Sequence, residues 1–492
     1  MIELVILFLY AFSLCCILLY CLAESMLAFK YVWHKKYDKI IPPKLLPDNL
    51  SPKQYPMVTV QLPIFNELYV VDRLIDAVCA FDYPKTRLEI QVLDDSTDET
   101  LAISQAKVKA YADKGFLITL KHRTDRSGYK AGALQEALTE AKGEYIAIFD
   151  ADFIPNPDFL KQTLPYFDKK EIGVVQTRWE HINKDYSFLT RIQAFFLDVH
   201  FTVEQGGRNA SGYFMNFNGT AGVWRKTTIY DAGGWQADTL TEDLDLSYRA
   251  QMKGWQFKYL ENIGAPSELP ADMQAFKSQQ FRWIKGGAEV ARKVLPRIAK
   301  TDLPFAVKFN AFSHLLSSSV YIVVFLTAVL SVPLMLVKNS YIDFNYLQYS
   351  YVFFLSNFAI AYVYFVATKY REKDKIKVWT KFIVLLPSFM IIALGMSLHN
   401  ASAAVRGLLR EDTPFVRTPK FAITSLGDKW KNKRYASKKI DGVTFMEGIF
   451  ALYFLAAIIY GIYYQKTDLM LLHVLAMLGF SVTFLYSILH AK

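Results

Sequence analysis

The sequence predicts an α/β domain on a mixed, mostly parallel, doubly wound sheet, carried between one N-terminal membrane helix and a C-terminal α-helical transmembrane bundle. Three observations predict it: a long apolar run at the N-terminus, five more beyond residue 305, and strand and helix patterns in alternation between them. Composition agrees, since the chain is 52% hydrophobic and 21% charged, against about 45–50% and about 25% for soluble domains. So apolar a chain is not disordered. A disulfide scaffold is excluded too, because Cys15, Cys16 and Cys21 share the first apolar run and Cys79 stands alone. No Cys/His set has zinc spacing. The net charge of +10 suits a membrane surface, an anionic substrate or nucleic acid.

The first element runs from Ile2 to Phe29, broken only by Glu3 and Glu24, and about 20 apolar residues cross a bilayer. A cleaved signal peptide would need a basic start and a small-residue cleavage site, and neither is present. Lys30, His34, Lys35, Lys36 and Lys39 follow the run. By the positive-inside rule the next segment is cytosolic and the N-terminus faces out. The expected units are a helix over 1–30, a cytosolic domain over 31–304 and a membrane bundle over 305–492 that includes a basic loop at 406–445.

Within the domain, Met57–Leu62, Leu88–Leu93, Phe116–Leu120, Tyr145–Phe149 and Gly173–Gln176 are short β-branched or aromatic runs. Helical patterns separate them. Glu67–Phe81 places Val70, Val71, Leu74, Ile75 and Val78 on one face, and Glu99–Ala112 and Tyr129–Lys142 are similar in kind. Such alternation implies ligands beyond the carboxyl ends of the strands. Acidic groups stand there: Pro63-Ile64-Phe65-Asn66-Glu67 follows the first strand, Asp94-Asp95-Ser96-Thr97-Asp98 the second and Asp150-Ala151-Asp152 the fourth. Asn66, Ser96 and Asp98 are also good helix caps. No glycine-rich phosphate loop accompanies the acids. Asp150 and Asp152 point the same way in an extended segment, and one or two carboxylates plus substrate phosphates are what Mg²⁺ or Mn²⁺ takes at a nucleotide site.

Further on, Thr241-Glu242-Asp243-Leu244-Asp245 has the form of a helix start with carboxylates in its first turn, and Gln279-Gln280-Phe281-Arg282-Trp283 lies on a helix just ahead of the bundle. The apolar stretches beyond it run at about 306–337, 349–368, 381–405, 446–464 and 469–489. A full crossing by 381–405 would export a segment carrying Arg406, Arg410, Arg417, Lys420, Lys429, Lys431, Lys433, Arg434, Lys438 and Lys439, which the positive-inside rule opposes. A re-entrant or interface-lying helix, bent near Pro387, is expected there.

Taken in order, Asp94-Asp95, Lys130-Ala131-Gly132, Asp150-Ala151-Asp152, Asn218-Gly219-Thr220, Thr241-Glu242-Asp243 and Gln279-x-x-Arg282-Trp283 resemble the family 2 glycosyltransferases, specifically the membrane-embedded polysaccharide synthases of the cellulose, mannan and chitin synthase type. The wording is most similar to that of glucomannan and mannan synthases. The resemblance covers about residues 55–290 and implies a GT-A nucleotide-sugar domain. It further implies that Asp94 and Asp95 contact the nucleoside, that Lys130 lies near its ribose or phosphates, and that Asp150 and Asp152 hold the metal. Asp243 would be the general base on the acceptor hydroxyl, and its neighbour Asp245 would be indifferent. Gln279 and Arg282 would steady the diphosphate, Trp283 would stack beneath the acceptor sugar, and Asn218, Gly219 and Thr220 would line the acceptor side. Phe415-Val416-Arg417-Thr418-Pro419-Lys420 resembles the gating loop of cellulose synthases, F-x-V-T-x-K, with Arg417 in place of Val, so that Phe415, Thr418 and Lys420 carry the match.

The resemblance implies an integral enzyme of a plasma or inner membrane. It would polymerise hexose from UDP-glucose or GDP-mannose by a processive, inverting route and move a β-linked polysaccharide through its own bundle. Its partners would be the nucleotide sugar, the growing polysaccharide and membrane lipid, with room for an accessory secretion subunit and no role for nucleic acid. A non-processive enzyme acting on a lipid, and a transporter or scaffold with a degenerate transferase domain, are the alternatives. Neither needs both the Gln-x-x-Arg-Trp element and the intact acidic set.

Overall fold

The computed structural model describes the 492-residue chain except residues 38–44, 48–49, 337–345, 414, 432, 436–439 and 492, and except the side chains of 346–353. Lys39, Lys438 and Lys439 thus lie outside the described residues. Seven strands form one sheet: β1 (Val58–Ile64), β2 (Leu88–Asp94), β3 (Leu117–His122), β4 (Tyr145–Ile148), β5 (Ile172–His181), β6 (Gly222–Arg225) and β7 (Gln256–Ser267), in the order β3-β2-β1-β4-β6-β5-β7. Pairs β1–β2, β2–β3, β1–β4 and β5–β7 are parallel, while β6 runs antiparallel to both β4 and β5. The mixed, mostly parallel sheet is therefore present. β1 and β2 are buried along both faces, as strands of a covered parallel sheet are. Their polar residues are satisfied across the sheet: Thr59 donates to Glu89 at 2.6 Å and Gln61 to Gln91 at 3.0 Å.

Helix α1 (Ile2–Tyr37) opens the chain, and α2 (Val71–Cys79), α3 (Thr100–Ala112), α4 (Tyr129–Glu140) and the short α5 (Phe159–Thr163) follow successive strands. Val71, Leu74, Ile75 and Val78 are buried, as the spacing requires. The loops after β1 and β2 depart from the capping expectation. Asn66 does not cap α2; it sits at φ 54° and ties the two loops together, its N–H donating to the Ser96 hydroxyl and its Oδ1 accepting from Thr97 N, both at 2.8 Å. Asp98 does accept from Thr100 N at the start of α3, at 3.0 Å.

Beyond β5 come α6 (Phe188–Val199), a π-helical turn (His200–Glu204), α7 (Gln205–Ser211), α8 (Lys226–Asp231), α9 (Glu242–Met252) and α10 (Met273–Ala299). The helical region consists of α11 (Phe305–Leu316), α12 (Val320–Leu336), α13 (Tyr346–Arg371), α14 (Lys375–Gly395), α15 (Ser397–Leu409), α16 (Gly442–Tyr463) and α17 (Met470–Ala491). Five helical stretches among the described residues are long and apolar enough to cross a membrane: α1, α11–α12 together, α14, α16 and α17. The helix of 381–405 breaks at Met396, between α14 and α15, while Pro387 lies inside α14. Both ends of this pair are tied to the α/β domain and its flanking helix. Arg371, just before α14, donates to Asp198 on α6 at 3.0 Å, and Thr413, just after α15, accepts from Lys285 on α10 at 2.7 Å. The break itself meets the middle of α17, where Gly395 packs on Gly479 and Thr483 too closely for any side chain.

Candidate active site

The carboxyl ends of the strands, the first turn of α9, the middle of α10 and the segment 415–420 enclose a cavity of about 230 Å³. Its floor follows the sheet order. Phe65 and Glu67 come after β1, Asp95 after β2, Arg126 after β3, and Asp150 and Asp152 after β4. Alternation along the chain sends the neighbouring Asp94 the other way. It is fully buried, off the cavity wall, and accepts from Ser96 N at 2.7 Å. Asp95 faces in and is held on both oxygens by Arg123, at 2.9 and 2.6 Å.

Each carboxylate of the Asp-x-Asp motif meets a lysine. Lys130 donates to Asp150 Oδ1 at 2.6 Å and to Gly219 O at 2.9 Å. Burial works against its charge, but Asp150, Glu242 and Asp243 outweigh burial and raise its pKa. Lys420 donates to Asp152 Oδ2 at 2.7 Å, and Glu268 N donates to the same oxygen at 3.0 Å. Thr220 belongs to this support: buried and away from the cavity, its hydroxyl accepts from Asp150 N at 2.9 Å. Gly219, at φ 75°, lets the loop pass so close to Asp243 Oδ2 that a side chain would crowd it. Asn218 lines the cavity, its Oδ1 accepting from Asn216 at 2.6 Å and standing 3.0 Å from His200 Nε2.

Asp243 occupies the first turn of α9, with Oδ1 accepting from Leu244 N at 2.9 Å. Burial, followed by the charge of Glu242, pushes its carboxyl up to about 7 in spite of Lys130. Asp245 is not indifferent. It is fully buried and pairs with Arg249 at 2.8 Å and Lys293 at 2.9 Å. Thr241 precedes the helix without capping it through its side chain. On α10, Gln279, Arg282 and Trp283 all reach the cavity. Arg282 donates to the Thr418 hydroxyl at 2.6 Å, its guanidinium lies 5.1 Å from the Phe415 ring, and its Nε is buried without a partner. Trp283 stands beside Trp179, with ring centroids 6.4 Å apart. Phe415 also stacks on Tyr129 at 5.3 Å, so the loop covers the cavity by aromatic contact on one side and by the Lys420 ion pair on the other.

Residues 56–286 match the family described as glycosyltransferase like family 2. They are a family 2 glycosyltransferase domain. The chain is 45% identical over 263 residues to glucomannan 4-beta-mannosyltransferase 1 of Oryza sativa subsp. japonica, covering 52% of this chain and 50% of that protein. It is also 45% identical over 258 residues to glucomannan 4-beta-mannosyltransferase 2 of Arabidopsis thaliana, covering 51% and 48%. The chain thus spans about half the length of the curated relatives it matches. Among solved structures it is similar in fold to the mannosyltransferase PcManGT from Pyrobaculum calidifontis in complex with GDP-Man and Mn²⁺, with a TM-score of 0.53 and 19% identity over 82% of this chain and 100% of that one.

Four further side chains in the wall of the glycosyltransferase domain's cavity have no role assigned from the sequence: Glu67, Arg126, Glu268 and Arg417. Arg417, which replaces the Val of the loop pattern, pairs with Glu67 at 3.0 Å and lies 4.0 Å from the Tyr435 ring. Burial pushes Glu67 up to about 8, against the pull of Arg417. Glu268 accepts from Phe421 N at 2.8 Å and pairs with Arg73 at 3.3 Å. The acidic end of the first strand, for Glu67, and the departure from the loop pattern, for Arg417, were the sequence signals for this group. Among the described residues no set of three or more His, Cys, Asp or Glu side chains gathers for a metal. Asp150 and Asp152 each bring a carboxylate to the cavity, the donor type a hard cation takes alongside diphosphate oxygens, and the amines of Lys130 and Lys420 that hold these oxygens would have to give way to it.

Proposed function

We propose that the chain is a processive, inverting mannosyltransferase that elongates a β-linked polysaccharide from nucleotide-activated mannose and feeds it into its own helical bundle. The observation that carries this reading is the meeting, in one cavity, of Asp243, Lys130, the Asp150–Asp152 pair, Arg282 and Trp283. The 4-beta-mannosyltransferase relatives favour mannose over glucose as the sugar.

In the reaction the acceptor hydroxyl gives its proton to Asp243 while its oxygen forms a bond to the anomeric carbon. The bond from that carbon to the diphosphate breaks on the opposite face, which inverts the centre. A buried carboxyl with its pKa near 7 is well matched to taking a hydroxyl proton at neutral pH. Lys130 and Arg282 stabilise the departing diphosphate, with Gln279 beside them, and Arg is suited to bidentate phosphate contact. Asp150 and Asp152 would hold Mg²⁺ or Mn²⁺, which neutralises charge on the leaving group when bound. The Trp283 face suits the apolar face of a pyranose, and Asn218 and Gly219 flank the acceptor side.

We read the α/β domain as cytosolic in a plasma or inner membrane, with the N-terminus outside. The contacts of Arg371 and Thr413 with the catalytic side support α14–α15 as a pair that enters and returns without crossing. Purified protein in nanodiscs, given labelled GDP-mannose or UDP-glucose with Mg²⁺ or Mn²⁺, tests the function. A long product cut by a β-mannan-specific hydrolase is expected. A single sugar on a lipid, or a polymer without mannose, would overturn the reading.

A further inference from the structure

The guanidinium of Arg126, in the cavity wall, has no part in the transfer just described. Arg126, beyond β3, lies over the Phe65 ring, its Cζ 3.2 Å from the centroid, with the Tyr129 ring 5.2 Å away. Its Nε is buried without a hydrogen-bond partner, and the side chain lines the cavity. Asp95 stands in the same wall and accepts two bonds from Arg123, which leaves lone pairs on both carboxylate oxygens. The sheet order β3-β2-β1-β4 fixes the sense of the site. The Asp-x-Asp motif follows β4, so the half of the cavity over β1, β2 and β3 is the end away from the transferred sugar, where the base of a nucleotide bound at Asp150 and Asp152 must lie.

We propose that Arg126 reads the base of the donor, selecting guanine over uracil with Asp95 as its counterpart. This rests on the reading of the site as one for a nucleotide-activated sugar. A guanidinium only donates and a carboxylate only accepts. Guanine offers acceptors at O6 and N7, which match the fork of an arginine, and donors at N1 and the N2 amino group, which match the two oxygens of a carboxylate. Uracil offers one N–H between two carbonyls, so it cannot engage the fork and the carboxylate twice each. Contact with the Phe65 ring restricts the guanidinium and so pre-orders the fork for an incoming base.

The test is calorimetric binding of GDP, IDP and UDP to the full chain in nanodiscs with Mn²⁺ present. Wild type is expected to prefer GDP over UDP. Arg126→Ala should weaken GDP about tenfold or more while changing UDP by less than about threefold, and IDP, which keeps O6 and N7 but lacks the N2 amino group, should lose affinity alongside GDP. Arg126→Lys keeps the charge without the fork and should not restore the preference. Equal losses for GDP and UDP would place Arg126 on the phosphates, an unchanged preference in Arg126→Ala would remove it from base recognition, and recovery by lysine would reduce its role to charge; each overturns the proposal. Free nucleotides carry no sugar, so the two readings fail separately. An enzyme that makes β-mannan yet keeps its GDP preference in Arg126→Ala sinks the base reader alone. An Arg126-dependent GDP preference without mannose incorporation sinks the polymerase alone.

Discussion

Lys420 Nζ stands 2.7 Å from Asp152 Oδ2, so a lysine from the helical half of the chain closes on a carboxylate 268 positions earlier. The same amine donates to Glu268 O at 2.6 Å. The ion pair holds the 415–420 segment over the cavity and places a positive charge beside the carboxylates assigned to the cation.

Loss of either partner should therefore be felt in turnover. Lys420→Ala is expected to lower polymer synthesis about 10²-fold, the scale of losing one electrostatic donor at a developing charge. Asp152→Asn or a chelator should abolish synthesis. Incorporation of labelled sugar by protein of verified monodispersity measures both, and full activity after both Asp152→Asn and chelation would refute the metal assignment.

Asp243→Asn should bind donor but elongate about 10²–10⁴-fold more slowly. The pH profile follows from the raised carboxyl. With its pKa near 7, Asp243 is roughly one-tenth deprotonated at pH 6 and nine-tenths at pH 8, so the rate should fall as pH drops through about 7. Stopped assays across pH 5.5–8.5 at saturating donor would show this limb, and a flat profile would count against the base. Asp245→Asn is no silent control, because it breaks a buried ion pair, and about 3–5 kcal/mol of stability should go with it.

Trp283→Ala should stop elongation while leaving nucleotide affinity within about twofold, since the ring stands beside Trp179 and is proposed to bind the acceptor rather than the nucleotide. Calorimetry with free nucleotide, beside a chain-length assay, separates the two effects. A large loss of nucleotide affinity would contradict the acceptor role.

If α14–α15 returns to the side it left, Ser425 is cytosolic. A Ser425→Cys variant, in a background whose native cysteines are replaced, should resist membrane-impermeant reagents in intact cells and react after permeabilisation. Labelling from outside would reverse this topology.

The first five strands and the helices between them were legible because each is a local pattern: apolar runs of strand length and one-faced helices. β6 and β7 were not. Gly222–Arg225 has only four residues, and Gln256–Ser267 mixes charged residues with glycine and proline; both are strands because their neighbours in the sheet pair with them. The site shows the same division. Asp95, Asp150, Asp152 and Asp243 could be picked out beside strand or helix ends and Arg282 from its Gln-x-x-Arg-Trp element, whereas the parts of Asp94 and Thr220 depended on which way one side chain points. Glu67 and Arg417 acquire meaning only from each other, across a distance in sequence that no pattern spans.

The stack of Phe415 on Tyr129 and the bond from Lys420 to Asp152 also order events during synthesis. The glycosyltransferase domain ends near residue 286, but its cavity stays open until residues 415–420 have emerged from the ribosome, on the order of ten seconds later at ordinary elongation rates. Helices α11 to α15 lie between the two and bring the loop back to the domain. A chain stalled before residue 415 keeps the matched domain but lacks its cover and its second lysine, so the cavity is completed only by residues that follow helices α11 to α15.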